Sequence, residues 1–218
     1  MWSSDLVMDR VCATLREYVE REIIPRYDGF DAGHQRDHVE TVINQSMELA
    51  QYYDVNINLV YAIAAYHDTG LVDSRERHHI VSGEIVMADE SLRQWFSEEQ
   101  IKVMAEAVED HRASNSNVPR SLYGKIVAEA DRLIDGVTIV RRTIQYGLAH
   151  YPQFDKEGHY DRFVEHMNEK YAEGGYLKLW IPESPNAQRL RDFQQKIKSE
   201  NELRLLFEKE WQSLTAIS

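Results

Sequence analysis

His67 and Asp68 close an apolar run, Ala-Ala-Tyr-His-Asp-Thr-Gly (64–70), and residues of the same two types stand on either side: His38 upstream, then His79, His111 and Asp131. Imidazole and carboxylate together suit a borderline or hard divalent cation, and a set drawn from several segments leaves coordination positions for water and substrate. Metal-dependent hydrolysis is the chemistry these residues suggest first. A carboxylate at the end of so apolar a run, where Ala64 and Ala65 admit a closely packed neighbour, is costly unless it is paired or bound to metal. Asp131 poses the same problem beside Val127, Ala130 and Ile134, and an ion pair with Arg132 or Lys125 is its alternative use.

The elements that must position these side chains read as helices. Apolar residues recur at helical spacing at Val39, Val42, Ile43, Met47 and Ala50, at Leu59, Val60, Ile63 and Ala64, and at Ile101, Met104, Ala105 and Val108. No period-2 pattern interrupts them. Helices are expected near 5–24, 36–53, 57–68, 79–94, 98–111, 121–146, 160–172 and 186–214, with loops around 112–120 and 173–185. Ser97 followed by Gln100 forms a capping-box pattern, Gly70 stops the helix before it, and Ser184-Pro185 precedes the last helical stretch. The fold class is therefore all-α, a helical bundle.

Within this frame His38 sits at the inner edge of a helix start, in Gly-His-Gln-Arg-Asp-His-Val (33–39). His34 is four residues earlier and shares its face only if the helix extends across Gly33; it is expected to face substrate or to support a ligand. His79 opens one helix and His111 ends another, so they bind a second metal or contact a substrate phosphate, whereas His78 is expected to be exposed. Arg112 directly follows His111, which favours the phosphate contact over the second metal.

A chain of 218 residues with 43% apolar composition can bury one sizeable core, and no Pro/Gly/Ser-rich stretch marks a boundary. It reads as one domain over 1–218, with the metal-site core at about 30–135 and a helical extension at about 136–218. The net charge of −12 argues against a nucleic-acid polymer as partner, since such binding is built on Lys and Arg neutralising phosphates. A small phosphorylated substrate such as a nucleotide, held by a few local cations, is compatible with that charge, and a homodimer is allowed. The single cysteine, Cys12, excludes an internal disulfide framework and fits a reducing compartment. With no signal-like N-terminus and no long apolar stretch, no membrane association is expected and the protein reads as cytoplasmic. The charged run from Lys196 to Glu202 is expected to form a solvated helical surface and a turn.

The ordered set His38, His67-Asp68 and Asp131 resembles the HD superfamily of metal-dependent phosphohydrolases, whose pattern is one His, an adjacent His-Asp pair and a distal Asp on a helical bundle. The resemblance covers about residues 30–135. His79 and His111 resemble the extra histidines by which some of these enzymes hold a second metal. The tail, including Lys-Tyr-Ala-Glu-Gly-Gly-Tyr-Leu-Lys-Leu-Trp (170–180), looks like the extension of a bacterial subgroup. Several subfamilies place a Lys soon after the His-Asp pair, where Leu71 stands here, and the Gly-Tyr-Pro signature of the cyclic-dinucleotide subfamily is lacking.

The resemblance implies hydrolysis of a phosphomonoester or nucleotide by metal-activated water, with His38, His67, Asp68 and Asp131 holding one or two ions (Mn, Mg, Fe, Co, Ni or Zn). Phosphoryl transfer needs positive charge nearby, for which Arg112, Lys125 and Arg132 are the candidates. His111 is alternatively the acid that protonates the leaving oxygen. Arg141, Arg142, His150 and Tyr151 form a second basic and aromatic group, suited to a nucleobase or more simply to covering the core. Two other classes compete: a di-iron oxygenase of the same fold, for which His79 and His111 complete six His/Asp ligands, and a non-catalytic nucleotide-sensing module. An intact set of buried ligands argues against the sensor.

Overall fold

The helix Ile57–Tyr66 is apolar almost all round, with every residue except Asn58 buried, so it is satisfied only at the centre of a bundle. Asn56 starts it by accepting from the Asn58 amide at 3.0 Å. In this computed structural model, which describes residues 8–31, 34–115 and 117–216, that helix is α3. Before it come α1 (Ala13–Tyr18), which continues as a π turn (Val19–Ile23) and a 3₁₀ turn (Ile24–Gly29), and α2 (Arg36–Ala50). After it come α4 (His78–Ala88), α5 (Glu98–Asp110), α6 (Leu122–Asp131), α7 (Gly136–His150), α8 (Lys156–Lys170), α9 (Asn186–Lys198) and α10 (Glu200–Thr215). Among the described residues there is no strand, and no helix is long and apolar enough to cross a membrane.

The residues form two compact units, one of 1–132 with 180–184 and one of 133–179 with 185–218. In the first, α2, α5 and α6 pack around α3 through the stripes legible in the sequence, Val39, Val42, Ile43 and Met47 on α2 and Ile101, Met104, Ala105 and Val108 on α5. The strap 180–184 belongs here because Ile181 enters this core and the buried Glu129 carboxylate accepts from the Trp180 amide at 2.6 Å. The second unit is built on aromatic packing, with Phe163 and Phe207 fully buried and their ring centres 5.3 Å apart. There Arg141 pairs with Glu210 at 2.9 Å, His150 stacks on Tyr146, and Arg162 lies over the Tyr146 and Tyr151 rings. That part of the basic and aromatic group is occupied in packing.

Several helix boundaries differ from the expected ones. The expected helix 121–146 is two, since Asp135 caps a new start at Gly136 by accepting from the Thr138 amide at 2.8 Å. Asp131 is therefore the last residue of α6 and not an interior one. Likewise Asp89 ends α4, Asp155 starts α8 earlier than expected, and Ser199 separates α9 from α10, where the charged run makes its turn. Ser97 and Gln100 form the capping box, at 3.3 and 2.9 Å. Residues 5–7 of the expected first helix, and Gly33, lie outside the described residues.

Helix α4 reaches the His-Asp turn through Gly70, whose amide donates to the Ser82 hydroxyl at 2.8 Å. A Cβ on Gly70 would overlap the His78 carbonyl oxygen and fall 2.5 Å from the Ser82 backbone nitrogen. Neither backbone atom can rotate away, so the glycine is required for this approach. Gly70→Ala should thus cost about 1–3 kcal/mol through forced displacement of α4. Urea denaturation measures it, and an unchanged midpoint would contradict the close packing.

Candidate metal centre

Five helix ends converge on the buried face of the first unit. His38 lies in the first turn of α2 and His78 is the first residue of α4; His67 and Asp68 follow α3, His111 follows α5, and Asp131 ends α6. Three of these ends are C-termini, where the helix dipole favours a cation.

The end of α3 explains how the His67-Asp68 pair is held. Its last carbonyls lack amide partners. His67 Nδ1 donates to Ala64 O at 2.8 Å, Tyr27 Oη to Ala65 O at 2.9 Å, and Thr69 Oγ1 to Tyr66 O at 2.8 Å. A carbonyl only accepts, so Nδ1 carries a proton and the His67 ring turns Nε2 inward. The same holds at His78, whose Nδ1 donates to Arg75 O at 2.8 Å, and at His111, whose Nδ1 donates to Val108 O at 2.5 Å.

These inward nitrogens form two groups that share one carboxylate. Asp68 Oδ2 lies 3.2 Å from His67 Nε2 and 3.4 Å from His38 Nε2, which are 3.2 Å from each other; Asp131 Oδ1 is 3.3 Å from His38 Nε2. Asp68 Oδ1 lies 3.3 Å from His111 Nε2 and 3.4 Å from His78 Nε2, which are again 3.2 Å apart. At 3.2 Å each pair of ring nitrogens either shares a proton or leaves its lone pairs to a cation. The donor set, four imidazoles and two carboxylates, fits a divalent cation, and His38, His67 and Asp68, and also Asp68, His78 and His111, can each hold one.

The electrostatics agree. Burial disfavours charge on the His38 ring, but the adjacent Asp131 and Asp68 carboxylates reverse that and lift its pKa to about 9. Burial likewise disfavours charge on His111, and Asp68 outweighs it, raising the pKa. His78 is lowered to about 4 by burial and by its neighbour His111. Burial alone would raise the pKa of Asp68, yet the histidines around it hold it well below the usual carboxylate range.

Of the expected site residues, His38, His67, Asp68, Asp131 and His111 come together. His79 does not, and His78, expected to be exposed, takes its place. His79 points aside, its Nδ1 buried without a hydrogen-bond partner and its pKa lowered to about 4 by burial and by Arg112. The phase of α4 does not separate the two, since Ser82 and Gly83, four residues on from each, are both buried; the Gly70–Ser82 contact decides it. His34 stands at the rim, its ring 5.6 Å from that of His38 and its Nδ1 2.9 Å from Asp31 Oδ1. Arg112 is half-buried and donates to the Glu76 carbonyl. Arg132 differs from its expected substrate role: it is buried, and Nη1 donates to His111 O at 2.9 Å and to Ala128 O at 2.5 Å, tying the ends of α5 and α6 together. Lys125 is six residues before Asp131 and so about 120° away around α6, off the face that carries the aspartate. Tyr27, fully buried, was missed because nothing local in the sequence links it to a turn 40 residues later.

Residues 36–135 match the family model of the HD domain. No curated protein and no solved structure matches the chain.

Because the His38 pKa is raised, the ring is protonated below about pH 9, and an entering cation must displace that proton. Metal affinity should climb as pH rises from 6.5 toward 9 and level off above. Calorimetric titration of metal-free protein across that range checks this, and a flat profile would contradict it.

Proposed function

We propose that this chain, a member of the HD superfamily, is a metal-dependent phosphohydrolase acting on a phosphomonoester or nucleotide. The family match supports metal-dependent hydrolysis as the class of chemistry. The observation that carries the reading further is Asp68, which offers one oxygen to each of two pairs of imidazole nitrogens.

When bound, divalent cations supply Lewis acidity, acidifying water and drawing charge from phosphoryl oxygens. In this reading His38, His67, Asp68 and Asp131 hold one ion, and Asp68, His78 and His111 hold a second. Assigning His111 to an ion, over the phosphate contact expected from the sequence, rests on its distances to Asp68 and His78. The shared carboxylate fixes the spacing between the two halves, and the committed Nδ1 protons keep the rings from turning away. In this reading His34, held by Asp31, and Arg112, next to His111 in sequence, bind and orient the substrate phosphate. The same six side chains also suit a di-iron oxygenase, the second reading.

Protein loaded in turn with Mn, Mg, Fe, Co, Ni or Zn and assayed against nucleotides and phosphomonoesters should release phosphate from at least one substrate. Oxygen consumption by the iron form with no phosphate release from any substrate would replace this reading with the oxygenase. By elemental analysis, His78→Ala should lose about one equivalent of metal, and His79→Ala none, since a paired site needs ligands on both ions. The opposite pattern would contradict the assignment of His78.

A further inference from the structure

We infer that the Tyr27 hydroxyl is a positioning group for Asp68, and through it for both halves of the cluster; this rests on the metal reading above. Tyr27 sits on the 3₁₀ turn Ile24–Gly29 with no exposed surface. Its hydroxyl does two things at once. It donates to Ala65 O at 2.9 Å and accepts from the Asp68 amide at 3.2 Å, so one atom spans the break between the end of α3 and the residue after His67. Its ring lies 6.2 Å from the His67 ring, flanking the same turn.

The geometry assigns the hydroxyl a specific task. Asp68 must present Oδ2 to His38 and His67 and Oδ1 to His78 and His111, which depends on the rotation of its backbone after the helix ends. Tyr27 fixes that rotation by holding the amide. Without the hydroxyl, Ala65 O and the Asp68 amide are both buried without a side-chain partner, and the turn can relax by tilting the carboxylate. Both metal groups would be disturbed together, because they share Asp68.

Tyr27→Phe keeps the ring and removes only this oxygen. Tyr66→Phe is the control, since its hydroxyl, equally deep in the core, bonds Asp89 Oδ2 at 2.5 Å instead. Each protein is titrated with Co²⁺, following the d–d absorption spectrum, and its melting temperature is measured with and without the ion. Tyr27→Phe should bind Co²⁺ about 10- to 100-fold more weakly with an altered spectrum, and should gain less melting temperature from the ion than wild type. Tyr66→Phe should lose stability equally with and without Co²⁺ and keep the wild-type spectrum. If Tyr27→Phe behaves as Tyr66→Phe does, the hydroxyl is merely structural and the inference is overturned. Wild-type protein that takes up no ion of any kind overturns the metal reading and this inference with it.

Discussion

A carboxylate with 3% of its surface exposed cannot remain charged at the end of an apolar helix without compensation, and the arrangement around Asp68 follows from that constraint. Four imidazoles surround its two oxygens, and none brings a fixed positive charge as Arg or Lys would. Their nitrogens also face one another in pairs at 3.2 Å, close enough to share a proton or to hold a cation with Asp68. On the reading proposed above, a cation in each half would replace those protons and compensate the Asp68 charge.

Much of the first unit reads as support for that arrangement. The apolar helix α3 delivers His67 and Asp68 to a place where its own carbonyls need donors, and side chains supply them. Gly70 removes the Cβ that would hold α4 away, letting Ser82 bond its amide and His78 face Asp68. Arg132 binds the carbonyl of His111 and so fixes the end of α5 against the end of α6. Each contact is backbone-directed, which gives rotational precision that apolar packing alone does not.

The helical class and the grouping of His38, His67, Asp68, Asp131 and His111 were legible in the sequence because they depend on periodicity, residue chemistry and order along the chain. His78 was not. Adjacent histidines at a helix start are separated by about 100° of rotation, and the choice between them is made by a contact between Gly70 and Ser82 that no local pattern announces. Arg132 and Lys125 were read from their charge and their nearness to Asp131 in sequence, but the Arg132 guanidinium is buried between two helix ends and Lys125 lies about a third of a turn around α6 from Asp131. The break at Asp135 was hidden by apolar periodicity continuing through it, although Asp-Gly at 135–136 is a capping signal in hindsight of the fold. Tyr27 acts across 41 residues, and only tertiary structure brings it to the turn.

The central claim is that one carboxylate joins two cation positions. A crystal of the protein grown with Mn²⁺, with anomalous diffraction recorded at the manganese edge, tests it most directly. The account predicts two peaks, one beside Asp68 Oδ2 with His38 and His67, the other beside Asp68 Oδ1 with His78 and His111. A single peak, or peaks away from Asp68, would contradict it.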